Sequence, residues 1–120
     1  MQKTFIIKNE QLKVLSDHLL KSFYTDTEQF LRKKFPVSTK KITASDMRGI
    51  IGNGIEKAAS YNIVERTDTR YFLEYMIKLG ADFDTNPSNE WVDDILNIRN
   101  LAGSEKIKRM MRAYSITNER

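Results

Sequence analysis

The sequence predicts an all-α fold: a compact single-domain bundle of about five helices over residues 1–120, with a short extended segment near its start. Three observations support this prediction. The chain has 120 residues, which is the length of one domain. Its hydrophobic fraction of 40% and charged fraction of 30% are those of an ordinary globular protein. Its apolar residues recur at intervals of three and four, the spacing of amphipathic helices, and prolines or glycines separate these runs.

The first predicted helix follows a short extended segment, Thr4 to Ile7, and begins after Asn9, a good N-cap residue. It ends near Lys34, because the residue that precedes Pro36 avoids the α region. The polar run of residues 24–27 is expected to weaken or kink this helix, and residues 36–42 are expected to form a loop. Its predicted buried face contains Leu12, Leu15, Leu19, Phe23, Phe30 and Leu31.

The second predicted helix starts at Thr43, and the run from Thr43 to Asp46 has the form of a capping box. Gly49, Gly52 and Gly54 lie inside this helix, and each lowers helix propensity by up to about 1 kcal/mol relative to Ala. We expect a neighbouring helix to pack closely against them; a helix held only by tertiary contacts is the alternative. Asn62 is expected to end the helix in a left-handed conformation. The predicted buried face contains Met47, Ile50, Ile51, Ile55 and Ala58.

Three further helices are predicted in the second half of the chain. One starts with Thr67 as its cap and ends at Leu79, before Gly80. After a loop at 81–88, another starts at Ser88 or Asn89. The last follows Gly103, and the tail 115–120 is expected to fray. The apolar residues assigned to the core are Phe72, Tyr75, Met76 and Leu79, then Trp91, Val92, Ile95 and Leu96, then Ile107, Met110, Met111 and Tyr114.

Composition excludes several function classes. There is no cysteine, so neither a disulfide framework nor thiolate chemistry is available, and we expect a reducing cytoplasmic location. We find neither a signal-peptide core nor an apolar run long enough to cross a membrane, so no membrane association is expected. The single histidine, His18, excludes sites built on several histidines and is interpreted as a partly buried helix residue.

No other pattern in the sequence indicates catalysis. The glycines of the second predicted helix lack the Lys-Ser/Thr pair of a phosphate-binding loop. Asp82 and Asp84 could in principle bind Mg²⁺ or act as acid and base, but capping of the following helix is the better-supported interpretation. We therefore expect no enzyme activity, no cofactor and no metal.

Positive charge is concentrated in the first half of the chain. Residues 1–60 carry 11 Lys and Arg against 6 Asp and Glu, whereas residues 61–120 carry 9 against 10. A basic patch is predicted around Pro36, and it could contact nucleic-acid phosphates. Apart from the single Phe35, these cations are not interleaved with aromatic residues or glycines, so nucleic-acid binding ranks behind a solvated helix end. The patch comprises Arg32, Lys33, Lys34, Lys40 and Lys41.

A second basic group is predicted on the last helix. It is expected to be mainly a solvated face, although it could also complement the acidic 82–94 segment within the chain or in a partner. Its residues are Lys106, Lys108, Arg109 and Arg112.

The segment from Gly80 to Trp91 is the strongest candidate for a partner-binding surface. It places acidic residues beside aromatic ones, a combination that supplies both charge complementarity and an anchor at protein interfaces. The alternative is that Phe83 and Trp91 only fill the end of the core. The carboxylates are expected to face solvent or a cation, because burying them unpaired is unfavourable. The predicted binding residues are Asp82, Phe83, Asp84, Trp91 and Asp93.

The chain resembles a family of small helical proteins encoded in bacterial type VI secretion loci, beside genes for VgrG spikes, PAAR-like tips and toxins. Four blocks carry the resemblance: Phe5–Leu12, Phe30–Pro36, Gly54–Ile63 and Tyr71–Pro87, the last followed by Trp91, Ile95 and Leu96. Asn62 departs from the family pattern, which usually has glycine there, and so does the polar run 24–27. The resemblance implies a genomic neighbourhood and no catalytic residues.

Three functional hypotheses follow. The first, implied by the resemblance, is a non-catalytic adaptor or chaperone that holds a secreted toxin or a VgrG/PAAR-type spike component. The second is an immunity protein that neutralises a cognate toxin. The third is a nucleic-acid-binding module that uses the basic patch.

Overall fold

Six α-helices and one short 3₁₀ helix form the regular structure, and no strand occurs among the described residues. The computed structural model describes the backbone of residues 17–118 and the side chains of residues 20–115. The helices are α1 (Asp17–Lys34), α2 (Pro36–Thr39), α3 (Ala44–Ser60), α4 (Arg66–Leu79), a 3₁₀ helix (Pro87–Asn89), α5 (Glu90–Leu96) and α6 (Gly103–Asn118). The predicted all-α fold is confirmed. The expected extended segment Thr4–Ile7 and the Asn9 cap lie outside the described residues.

The corner between α1 and α3 differs from the prediction. Helix α1 ends at Lys34 as expected, but Pro36 to Thr39 forms a helical turn where a loop was predicted. Proline favours this turn, because its fixed φ suits the first position of a helix. Arg32 holds the turn in place: its two Nη atoms donate to the carbonyl oxygens of Thr39 (2.9 Å) and Ile42 (2.8 Å). Val37, on the outside of the corner, is 87% exposed.

The polar run in α1 does not interrupt the helix, which is continuous from Asp17 to Lys34. Thr27 is fully buried, and Tyr24 is partly buried against the core. The Tyr24 hydroxyl would lie 3.0 Å from a Cβ at Gly52, so Tyr24 faces α3, whereas Thr25 and Asp26 are exposed to solvent.

Close packing of α3 against α4 is confirmed at Gly54. A Cβ at this position would lie 2.2 Å from Leu73 Cδ2 and 2.9 Å from the Met76 sulfur. Both of those side chains are buried in the core, so they have little room to move. Gly49 differs from Gly54, because nothing lies within 4 Å of the Cβ it would carry. Close packing thus explains Gly54, and Gly52 in part, but not Gly49.

The ends of α3 follow local signals in the sequence. The Thr43 hydroxyl accepts a hydrogen bond from the Asp46 backbone N–H (3.0 Å), as the predicted capping box requires. Asn62 has φ of 69°, which confirms the predicted left-handed terminator. The backbone N–H of Ile63 then donates to the Ala58 carbonyl (2.9 Å), which satisfies an end group of the helix.

The start of α6 packs on the end of α3. A Cβ at Gly103 would lie 2.1 Å from the Asn62 carbonyl oxygen and 2.8 Å from the Ile63 Cα. These are backbone atoms and cannot rotate away as a side chain could. Only glycine therefore allows the first turn of α6 to meet the terminator of α3 at this distance.

The start of α4 corrects a second prediction. The helix begins at Arg66 with Glu65 at its N-cap position, and no side chain caps it there. Thr67 lies exposed in the first turn instead of serving as the cap. The predicted end is confirmed: Gly80 has φ of 111°, and its N–H donates to the Met76 carbonyl at 3.0 Å.

One core joins the helices, and α4 supplies its central face. Met111 is an error of the prediction, because it is 40% exposed, while Ile107 and Met110 on the same helix are buried. The tail 115–120 is expected from the sequence to fray, but the backbone of α6 stays helical through Asn118. The buried apolar residues are Phe23, Leu31, Met47, Ile51, Ala58, Ala59, Ile63, Phe72, Leu73, Tyr75, Met76, Phe83, Val92, Leu96, Ile107 and Met110.

The two glycines of α3 provide a matched test of this packing. Gly54→Ala should destabilise the protein by about 1–3 kcal/mol, because the added methyl group overpacks the α3–α4 contact. Gly49→Ala should stabilise it by about 0.5–1 kcal/mol, because alanine favours the helix and has open space there. Urea denaturation of both variants checks this. Equal effects of the two substitutions would contradict a close α3–α4 contact at Gly54.

Candidate partner-binding surface

The loop from Gly80 to Trp91 is a series of short turns rather than an irregular chain. The N–H of Phe83 donates to the Gly80 carbonyl (3.0 Å), and the N–H of Thr85 donates to the Asp82 carbonyl (3.1 Å). The Asn86 side chain accepts from the Ser88 N–H at 2.9 Å and so caps the 3₁₀ helix that leads into α5. Capping here comes from Asn86 and not from the acidic pair. The loop therefore has a defined conformation at each step.

Phe83 anchors the loop in the core. Its side chain is fully buried, and its ring centroid lies 5.1 Å from that of Phe72 and 6.1 Å from that of Tyr75. These are ordinary aromatic packing distances. The alternative interpretation, in which this residue fills the end of the core, describes its position; Phe83 does not contribute exposed surface.

Asp84 anchors the same loop to the end of α3. The carboxylate is buried, and its Oδ1 accepts from Lys57 Nζ at 2.7 Å. Its Oδ2 accepts from the Tyr61 hydroxyl, also at 2.7 Å. The same Lys57 ammonium donates to the Ala81 carbonyl at 2.9 Å. Lys57 in the last turn of α3 and Tyr61, its C-cap residue, therefore bind both sides of the turn.

These contacts change the acidity of both partners. Burial by itself raises the pKa of Asp84, but the hydrogen bonds from Lys57 and Tyr61 and the lysine charge outweigh burial and lower the pKa below its ordinary value. The pKa of Tyr61 is raised, first by burial and then by its hydrogen bond to Asp84. The Asp84 carboxylate is thus held ionised, and the Tyr61 hydroxyl is held protonated.

The remaining carboxylates of the segment face solvent. Asp82 in the loop is exposed, and so are Glu90, Asp93 and Asp94 on α5. The Asp93 carboxylate accepts from the Asn97 side-chain amide at 2.8 Å. Four exposed carboxylates therefore lie on the loop and on the short helix that follows it.

Trp91 lies next to this acidic surface. It is partly buried, and its ring centroid is 6.3 Å from that of Tyr114 on α6. The Lys78 ammonium lies 4.5 Å from the centroid of the Tyr114 ring, within the range of a cation–π contact. The tryptophan therefore presents part of its surface to solvent beside the Tyr114 ring, which itself contacts the Lys78 ammonium.

The predicted binding residues thus separate into two groups. Asp82, Trp91 and Asp93 retain exposed or partly exposed side chains, whereas Phe83 and Asp84 are buried and hold the loop. We name the exposed group, with Glu90 and Asp94, the acidic surface. In the described part of the chain, no three His, Cys, Asp or Glu side chains are grouped so that they could hold a metal ion.

The basic patch around Pro36 is partly occupied by internal contacts. Besides the two carbonyls, Arg32 contacts Glu28 through Nε at 3.0 Å. Lys34 pairs with the buried Glu74 carboxylate at 2.9 Å. All four lysines of the patch are exposed, and Lys33, Lys40 and Lys41 have no ion pair with the described residues. The patch therefore combines a structural joint with three solvent-facing lysines that pair with none of the described carboxylates.

Lys106 was predicted on a solvated face, but the structure corrects this. The residue is 4% exposed, and its ammonium donates to the Tyr61 carbonyl at 2.9 Å. Sequence reasoning also missed Lys57 and Tyr61. Lys57 lies in the last turn of α3 and Tyr61 is its C-cap residue, but nothing in the sequence indicates that Asp84 packs there.

No helix within residues 17–118 is both long enough and apolar enough to span a membrane. Comparisons of the chain with protein-family models, with curated proteins and with solved structures gave no match.

The Asp84 contacts predict a specific pH dependence of stability. Because folding lowers the pKa of this carboxyl below its ordinary 3.8, its contribution is present above pH 3.8 and is lost as the pH falls through the folded-state value. Asp84→Asn should destabilise the protein by about 1–3 kcal/mol at pH 7. The difference in free energy of unfolding between Asp84→Asn and wild type should shrink below about pH 4.

Chemical denaturation at several pH values measures this difference. Asp82→Asn is the matched control, because the side chain is exposed in the same turn; it should change stability by less than about 0.5 kcal/mol. A constant Asp84→Asn difference from pH 7 to pH 2 would contradict an ionised, hydrogen-bonded carboxylate.

Proposed function

We propose that this chain is a non-catalytic accessory protein that binds a protein partner through the acidic surface. The observation that carries the proposal is the contrast within one segment. Phe83 and Asp84 fix the loop from inside, while Asp82, Asp93 and part of Trp91 face outward. A surface fixed before binding loses little conformational entropy when a partner docks.

The chemistry of this surface defines the partner. Four exposed carboxylates favour a complementary basic patch, and Trp91 offers an aromatic anchor of the kind that concentrates binding energy. By the resemblance to proteins of type VI secretion loci, we propose that the partner is a secreted toxin or a VgrG/PAAR-type spike component. The protein would act in the cytoplasm as an adaptor or chaperone before secretion.

Two alternatives from the sequence remain as outcomes of the same experiments. An immunity protein would abolish the activity of its cognate toxin, whereas an adaptor would only keep the toxin soluble or deliver it. A nucleic-acid-binding module would act through the exposed Lys33, Lys40 and Lys41 and would bind DNA or RNA with a steep salt dependence. Mixing the purified chain with candidate toxin and spike proteins, and separately with DNA and RNA, distinguishes the three.

The test of the acidic surface is a pair of charge reversals. Asp82→Lys combined with Asp93→Lys should slow association with the partner by about tenfold at low salt and leave dissociation nearly unchanged. Trp91→Ala should mainly accelerate dissociation. Surface plasmon resonance at two salt concentrations separates these effects. Added salt screens the charges and should reduce the difference in association rate between wild type and the double charge reversal.

Asp26→Lys is the control, because it reverses an exposed carboxylate on α1, outside the acidic surface. It should leave both rates close to those of wild type. If Asp26→Lys, which changes the net charge by half as much, slows association by half as much on a logarithmic scale as the double reversal does, only the overall charge matters, and the acidic surface is not the binding site.

A further inference from the structure

A cleft of about 420 Å³ lies between the end of α3, the loop after α5 and the first turn of α6. Lys106 and Arg99 line it, together with Asn62 and Asn100 on its rim. None of the residues that line it is an Asp or Glu. Its polar lining is thus rich in hydrogen-bond donors, whereas the neighbouring segment of α5 is acidic.

Lys106 contributes a buried charge to this cleft. The residue is 4% exposed, and among the described residues no carboxylate lies within ion-pair distance of its ammonium. An ammonium carries three donors, and the Tyr61 carbonyl accepts only one of them. Burial without a counter-ion is unfavourable, and it lowers the pKa of Lys106 below its ordinary value.

The position of Lys106 along its helix makes its unbalanced positive charge still less favourable. It is the fourth residue of α6, near the positive end of the helix dipole, where a negative charge is favoured. The Tyr61 carbonyl at the end of α3 offsets part of this effect, because the C-terminal end of a helix is negative. An anion in the cleft would balance the rest.

Arg99 supplies a second cation. Its side chain is exposed, and it takes part in no ion pair with the described residues. Two residues of the rim have a left-handed backbone conformation: Asn62 has φ of 69° and Asn100 has φ of 61°. These left-handed residues turn the chain sharply, so that the end of α3 and the loop before α6 bound the same space.

Two carboxylates that are hydrogen-bonded to lining residues of the cleft, Asp84 to Tyr61 and Asp93 to Asn97, do not themselves line it. Asp84 also accepts from Lys57. We propose that the cleft binds a small anion, a phosphate or carboxylate group, between the Lys106 ammonium and the Arg99 guanidinium. This proposal does not depend on the acidic surface or on its partner.

The test uses inorganic phosphate and acetate as separate probes of the full chain. Each is titrated at constant ionic strength, set with sodium chloride, while backbone amide shifts are followed by NMR. Saturable shifts centred on Asn62, Arg99, Asn100 and Lys106 support the proposal, whichever probe produces them. Shifts that never saturate, or that spread over exposed lysines throughout the chain, overturn it.

Variants then test the two cations. Arg99→Gln should weaken binding by about tenfold, because a hydrogen-bonded charge contact is lost, and the exposed site should tolerate the change. Lys106→Met should weaken binding at least as much. Lys108→Gln is the control, since it removes an exposed lysine of α6 outside the cleft, and binding should not change.

The variants also separate binding from a purely structural role of Lys106. If Lys106→Met lowers stability while Arg99→Gln binds the probes as wild type does, Lys106 only caps α3 and the proposal is wrong. If Lys106→Met does not fold, Arg99→Gln alone decides. As a second measurement, phosphate should raise the melting temperature of wild type more than that of Arg99→Gln.

Discussion

The hydrogen bonds from Lys57 and Tyr61 to the buried Asp84 carboxylate are the contacts on which the position of the loop between α4 and α5 depends. Both donor–acceptor distances are 2.7 Å. Without them, Phe83 would be the main hold on the loop between α4 and α5, and a carboxylate would be buried without its partners. A buried ion pair of this kind is weak evidence for net stability, but loss of either partner is strongly unfavourable. Its main effect is to fix where the exposed carboxylates lie.

The last turn of α3 is the junction of the structure. Lys57 and Tyr61 reach the acidic loop from it, the Tyr61 carbonyl receives the Lys106 ammonium, and the Asn62 backbone meets Gly103. Two lysines gather where the helix dipole is negative, which favours both. The acidic surface and the donor-lined cleft share this junction: Tyr61 binds Asp84 through its hydroxyl and lines the cleft. A change in the last turn would therefore affect both regions.

The helix ends could be predicted because they depend on residues close together in the sequence. Contacts between residues far apart in the sequence could not be predicted. Pro36, Thr43, Asn62 and Gly80 mark helix ends through effects confined to a few residues, and each does so as expected. The burial of Asp84 depends on donors 23 and 27 residues away, a pairing that no local pattern encodes. The prediction that Met111 is buried failed for a different reason. Helical periodicity shows which face of a helix is buried but not how wide that face is, and Met111, one residue after the buried Met110, already faces solvent. The acidic surface was therefore predictable in composition but not in the residues that fix it.

The joint at Arg32 shows that shape can matter more than charge at a basic residue. Its guanidinium contacts Glu28, the Thr39 carbonyl and the Ile42 carbonyl through three different nitrogens, at 3.0, 2.9 and 2.8 Å. A lysine at this position would keep the net charge of the protein but offers a single nitrogen, which cannot meet three acceptors spread around the corner. A substitution that is conservative by charge would thus release the turn at Pro36. Electrostatic potential alone would group Arg32 with its lysine neighbours. Its planar guanidinium instead joins α1 to the segment that leads into α3, by hydrogen bonds to the Thr39 and Ile42 carbonyls.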